Sequence, residues 1–146
     1  METFKTKFKV EEFLVARVGG WNISVREQQP TLGSLVLSLD RDCSNLGELS
    51  KEESEALGRA MRLIDALFQA TLKPEKVNYL ALMMVDEHVH FHVLPRFSAA
   101  VDFAGEQYID HCWPKPHTLE PLANIDEQKL QELTALFMQQ VPKRDK

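Results

Sequence analysis

The chain is 146 residues long, 44% hydrophobic and 27% charged, with a formal net charge of −5 from 17 basic and 22 acidic residues. That length suits a single domain, 1–146, able to bury most of its apolar surface without staples. The acidic balance argues against nucleic acid or an anionic membrane as the main partner, while leaving room for a small anionic ligand at a locally basic site. Two cysteines, Cys43 and Cys112, make no disulfide framework; they form either one bridge or, the favoured reading, two inert thiols in a reducing compartment. The opening stretch METFKTKFKVEEFLV lacks the basic-then-apolar pattern of a secretory signal. No apolar run approaches the ~18 residues that would span a bilayer, so a cytoplasmic protein is expected.

Residues 13–18 (FLVARV) and 21–26 (WNISVR) flank Gly19-Gly20, a hairpin signal. In the second run Trp21, Ile23 and Val25 share one face, and Asn22, Ser24 and Arg26 the other. QQPTLGS reads as a loop and LVLSLD, 35–40, as a third strand. Ser50-Lys51-Glu52-Glu53 is a capping box. Leu57, Ala60, Met61, Ile64, Leu67, Phe68 and Thr71 follow at helical spacing until Pro74. Gly58, inside that helix at a cost of ~1 kcal/mol relative to Ala, suggests close packing. VNYLALMMV (77–85) reads as a strand, Asp86-Glu87 as a turn, and HVHFHVLPRF (88–97) as the returning strand. Beyond residue 97 the text is irregular until an amphipathic helix near 126–140, with Leu130, Leu133, Leu136 and Phe137 as its stripe, and VPKRDK as a frayed tail. The order β-β-β-α-β-β with antiparallel neighbours gives the α+β class. The core runs from about 10 to 100, with a C-terminal loop and helix extension over 101–146.

Three of the five histidines alternate in HVHFHVLPR. In a strand, His88, His90 and His92 share one face, and Val89, Phe91 and Val93 turn the other way into the core. Buried imidazoles need partners for both ring nitrogens, which makes them expensive packing residues. Three readings compete. One is a solvated polar face. A second is a zinc or copper site built on His-x-His, but no Cys-x-x-Cys or His-Glu-x-x-His accompanies it. The third is nucleophilic attack on phosphorus by a neutral imidazole whose other nitrogen is held as N–H by an acceptor.

His88-Val89-His90-Phe91-His92-Val93-Leu94 resembles the His-φ-His-φ-His-φ-φ signature of the histidine triad (HIT) superfamily of nucleotide-binding hydrolases and transferases. Pro95-Arg96, Asn78 ten residues upstream, Gly33 before LVLS, and LGELSKEE before the helix are also similar to the family's pattern, so the match covers roughly 10–100. The resemblance implies a five-stranded antiparallel sheet with a long central helix and a C-terminal helix. It implies a nucleotide or dinucleotide substrate, including dinucleoside polyphosphates and nucleoside phosphoramidates, a homodimer, and no metal or cofactor. Carried over, His90 would be the nucleophile. His92 would contact phosphate oxygens and help activate or protonate, and His88 would orient His90 partly through its backbone carbonyl. Asn78, Arg96 and Gly33 would bind the nucleotide.

Departures concentrate around the phosphate. The family's usual Gly-Gln or Gly-Asn, with Ser or Thr following, is replaced by Met83-Met84-Val85, so a polar grip becomes apolar. Arg26 stands where the family often has Asp or Asn for the ribose, and an arginine cannot accept those hydrogen bonds. Arg26, Arg41 or Arg96 could supply charge instead; alternatively, the chain binds a phosphorylated ligand with little turnover. Arg26 otherwise reads as a solvated residue. His111, Trp113, Lys115 and His117 form either a segment that closes the site, across a dimer, or an ordered surface loop. Trp21 reads as strand packing, and Met83-Met84 as core or pocket lining.

Overall fold

The computed structural model describes residues 1–143. Arg144, Asp145 and Lys146, part of the expected frayed tail, lie outside the described residues. Gly19-Gly20 joins strand β1 (Leu14–Val18) to β2 (Trp21–Val25), and β3 (Leu35–Leu39) follows. Helix α2 (Lys51–Ala70) crosses over to β4 (Lys76–Leu80), which pairs with β5 (His90–Arg96). The five strands form one antiparallel sheet in the order β1-β2-β3-β5-β4. This is the expected α+β sheet, with β5 in its interior and β4 at an edge.

The Ser50 capping box forms as expected: the Ser50 hydroxyl accepts the Glu53 N–H at 3.1 Å, and the Glu53 carboxylate accepts the Ser50 N–H at 2.8 Å. Ala56, Ala60, Ile64, Leu67 and Phe68 are the buried stripe of α2. They meet Trp21, Ile23 and Val25 of β2 and the C-terminal helix α3 (Glu127–Met138) in one core. Val141 is buried in that core as well, so the tail begins later than VPKRDK suggested. The Gly33 N–H donates to the Gln29 side chain at 2.7 Å, and its φ is +90°. A Cβ there would stand 2.6 Å from Leu72 Cδ1, so glycine is required both for backbone and for space.

Gly58 is different. A Cβ added there would meet only the Arg62 guanidinium at 3.9 Å, so the expected close packing is absent. Gly58→Ala should therefore stabilise the protein by about 0.5–1 kcal/mol through helix propensity, raising Tm by roughly 2 °C. Thermal unfolding followed by circular dichroism checks this, and a lowered Tm would contradict it.

Two local readings are corrected, and a third element is new. First, β4 ends at Leu80, and residues 81–89 form an irregular connection rather than a tight turn at Asp86-Glu87. Met83 adopts φ +48°, which breaks the extended backbone, and Met84 and Val85 are 81% and 88% exposed. Second, residues 101–108 are a small hairpin, β6 (Val101–Phe103) and β7 (Glu106–Tyr108). Its turn residues Ala104 and Gly105 both have positive φ (52° and 82°), as a two-residue hairpin turn demands. Third, the N-terminus forms a short helix, α1 (Glu2–Lys7). It lies over the sheet face opposite α2 and α3, with Phe4, Val10 and Val36 forming a second small core. Asn22 and Ser24 are therefore buried, and the Ser24 hydroxyl donates to the Val10 carbonyl at 2.9 Å.

Candidate active site

β5 carries the histidines because its two faces are divided. Val89 and Val93 are fully buried in the main core, and Phe91 packs half-buried against Trp21 and Tyr79. His90 and His92 face the other way, opposite Ser38 and Val36 of β3. His88 precedes the strand but stays on the same side, its ring 4.8 Å from that of Phe4. Phe4 also stacks on His90 at 4.7 Å, and Phe8 lies 5.6 Å from His90 and 6.1 Å from His92. The aromatic cover leaves His90 2% and His92 7% exposed. Lys7 ties α1 to the residues before the triad through Asp86, at 2.8 and 2.9 Å.

The hydrogen bonds fix the tautomers. A carbonyl oxygen only accepts, so His90 Nδ1 is protonated and donates to the His88 carbonyl at 2.6 Å. His90 Nε2 is then the unprotonated nitrogen with a free lone pair. His88 Nε2 donates to the Leu39 carbonyl at 2.7 Å. Arg26 Nε donates to His92 Nδ1 at 3.3 Å, and an arginine N–H only donates. His92 therefore accepts at Nδ1 and carries its proton on Nε2. Burial pushes all three imidazoles below their ordinary value. His92 falls furthest, to about 4, through burial and then the neighbouring Arg26 and His90. All three are neutral at pH 7, as a nitrogen nucleophile must be.

Two recesses adjoin the histidines. One, of about 440 Å³, is lined by Lys7, Phe8, Arg26, Glu27, Gln28, Val85, Asp86 and His92. The other, about 150 Å³, is lined by Leu82, Met83, Met84, Val85, Asp86, His90 and His92. They share walls at Val85, Asp86 and His92. Arg26 is thus a half-buried wall of the site, not a solvated residue. The sequence hid this because α1, which covers its strand's polar face, has only six residues and one buried side chain, too little periodicity to read. Met83 and Met84 line the smaller recess. Among the described residues, no three His, Cys, Asp or Glu side chains are grouped to hold a metal ion.

Other expected site residues lie elsewhere. Asn78 pairs with Leu94 in the sheet, beyond His92, and its side-chain amide oxygen Oδ1 accepts from Arg96 at 2.8 Å. Arg96 is buried, and four of its five N–H donors are used on Asp110, Asn78 and the Lys115 carbonyl. Asn78, Arg96 and Lys115, with Tyr79, Trp113 and His117, line a separate pocket of about 630 Å³ at the β4 edge. The 111–117 segment therefore folds over β4 and Arg96, not over the triad of its own chain. Gly33 packs under Leu72, Phe137 and Pro95 and lines neither histidine recess. Arg41 is taken by the Glu53 carboxylate at 2.7 and 2.9 Å. Trp21 is fully buried, as read, with its indole N–H on the Glu53 carbonyl.

No protein-family model matches the chain, and no curated protein matches it by sequence. Solved structures do match. A histidine triad protein from Sinorhizobium meliloti superposes with a TM-score of 0.68 at 21% identity, covering 91% of this chain and 93% of that one. The chain has the histidine-triad fold. A histidine triad protein from Bradyrhizobium japonicum gives a TM-score of 0.65 at 20% identity over 90% and 93% of the two chains. A hypothetical histidine triad nucleotide-binding protein from Sulfolobus tokodaii gives 0.66 at 14% over 88% and 82%.

Proposed function

We propose that the protein is a nucleotide-binding hydrolase or nucleotidyl transferase. It acts on a nucleoside phosphate or dinucleoside polyphosphate through a covalent nucleotidyl-His90 intermediate. One observation carries this reading: the His88 carbonyl holds the proton on His90 Nδ1 at 2.6 Å, which leaves Nε2 as a neutral, oriented nucleophile. Attack by Nε2 on the α-phosphorus places positive charge on the ring, and the Nδ1–H bond to His88 stabilises it. His92 Nε2–H donates to a phosphoryl oxygen. The recess bearing Lys7 and Arg26 takes the charged part of the substrate. The test is to mix the protein with labelled diadenosine tetraphosphate, quench within milliseconds, and map label by mass spectrometry. Label on His90 is expected; turnover without label there would refute the intermediate.

The cover of Phe4 and Phe8 and the apolar 82–85 stretch favour a second reading, a nucleotide-binding module with little turnover. It requires binding of a nucleoside monophosphate with neither adduct nor hydrolysis across a substrate panel. A homodimer belongs to the main reading, since edge strand β4 has unpaired backbone on its outer side where a second copy can add. Light scattering at micromolar concentration would return a monomer if this is wrong. A reducing, cytoplasmic setting fits the free, half-buried thiols of Cys43 and Cys112. No helix among the described residues is long and apolar enough to cross a membrane.

A further inference from the structure

Three arginines could bring positive charge to a substrate, and the structure separates them. Arg41 is paired with Glu53 and Arg96 with Asp110. Among the described residues, Arg26 meets no carboxylate: it donates to His92 Nδ1 at 3.3 Å and to the Gln28 carbonyl at 2.7 Å. Its neighbour Glu27 is taken by Lys9, and Lys7 by Asp86. Arg26 is thus a half-buried cation in the wall of the larger recess, with donors left over and a catalytic-face histidine in contact.

We propose that Arg26 is a positioning residue for His92 and the counter-charge for the departing group, so that the site favours substrates whose leaving group departs as a phosphate anion over those that release an amine. The inference rests on the His90 reading above. While Arg26 donates to Nδ1, His92 is a neutral imidazole with one proton, on Nε2. It can donate a hydrogen bond to a phosphoryl oxygen, but it is not an imidazolium with an acid proton to give away. In the first step the bond from His90 Nε2 to phosphorus forms and the bridging P–O bond breaks. The electron pair leaves on the oxygen of the departing phosphate chain, which needs no proton and gains a cation beside it. In the second step water adds to phosphorus, the P–N pair returns to Nε2, and the water proton passes to solvent. An amine leaving group lacks this option, because its nitrogen must be protonated before the P–N bond of the substrate breaks.

The groups that face His92 agree. His90 stands on the same strand with its ring 4.9 Å away, Phe8 covers the ring from the α1 side, and Asp86 approaches from the 81–89 connection. Among the described residues Asp86 is the carboxylate that draws a proton toward His92, and Lys7 engages it at 2.8 Å. Burial and Arg26 together hold His92 neutral, against the smaller pull of Asp86.

The test compares diadenosine tetraphosphate with adenosine 5′-phosphoramidate on the full chain, in the wild type and in Arg26→Gln and Arg26→Lys. The wild type should prefer the anhydride by on the order of 100-fold in kcat/KM, the size of a missing general acid. Arg26→Gln should lose roughly 100-fold on the anhydride, chiefly in kcat, and much less on the phosphoramidate. Arg26→Lys should recover part of the loss. Removing the cation raises the His92 pKa, so the acid limb of the anhydride rate should move to higher pH in Arg26→Gln. Nitrogen-15 NMR on the wild type should show His92 protonated at Nε2 only at neutral pH, with a titration midpoint that rises in Arg26→Gln. A wild-type preference for the phosphoramidate overturns the proposal. So does an equal loss on both substrates with an unmoved acid limb, which would be a purely structural role. If the wild type turns over neither probe and no His90 adduct forms, the His90 reading fails and the leaving-group inference with it. In that case a His92 proton found on Nδ1 rejects the Arg26 contact as well, and one found on Nε2 leaves the contact established without the chemistry.

Discussion

His90→Gly is expected to lower turnover of diadenosine tetraphosphate by roughly 10⁴-fold or more, the scale seen when a covalent nucleophile is removed. The size follows from what the ring alone supplies. In the proposed reaction Nε2 forms the bond to phosphorus, and His90 is the carbonyl-held imidazole, at 2.6 Å, that lines a histidine recess. His88 is held in the same way by Leu39, which frees its Nδ1, but it lines neither recess, and His92 carries its proton on Nε2. The glycine leaves a ring-sized space under Phe4 and Phe8, so added imidazole should enter it and restore part of the rate. Steady-state kinetics with and without added imidazole decide the matter. Full activity in the glycine variant would remove His90 from the chemistry. Because burial holds His90 below its ordinary value of 6.5, the wild-type rate should persist on the acid side of pH 6.5 before it falls.

Asp110→Ala is expected to destabilise the fold by about 3–5 kcal/mol, the usual cost of stranding one member of a buried ion pair, and to lower Tm by about 10 °C. The side chains of Arg96 and Asp110 are 4% and 0% exposed. Asp110 accepts two bonds from Arg96, at 2.6 and 3.2 Å, and one each from the Phe97 and Cys112 amides. Removing it leaves a guanidinium in the interior with only Asn78 and the Lys115 carbonyl, and frees the 110–117 segment. Thermal or urea unfolding measures the loss; a change below 1 kcal/mol (roughly the worth of an exposed pair) would show that the pair is not structural.

The same groups set the acid stability. Burial raises the Asp110 carboxyl, but the Arg96 and amide hydrogen bonds outweigh it and the net shift is downward from 3.8. A lowered carboxyl adds stability that is complete above its unfolded value and is lost as pH falls through the folded one. The three histidines act earlier. Their folded values lie below 6.5, so the unfolded chain binds more protons and stability falls as pH drops from 6.5 toward about 4, the value reached by His92.

Much of the sheet was legible before the fold was seen, because its signals are local. Gly19-Gly20 between two apolar runs, the Ser50–Glu53 box, the helical spacing to Phe68 and the alternation of His88–Val93 each depend on neighbours a few residues away. Pattern alone thus placed β1, β2, β3, α2 and the strand of the histidines, and it separated their core face from their chemical one. What escaped it was non-local or weakly periodic. One turn and a half of helix carries too few apolar positions to stand out, so α1 and its cover over the triad went unread. Gly58 and Gly33 look alike as letters, yet one faces a flexible guanidinium and the other Leu72. Arg26 and Arg96 are also one letter. Arg96 is consumed by Asp110, fourteen residues on, and Arg26 reaches His92, sixty-six residues on. The shared face of the three histidines could be read along the chain because strand period defines it. Its electrostatic surroundings could not, because charge acts through space and only the folded packing determines which cation remains free to act.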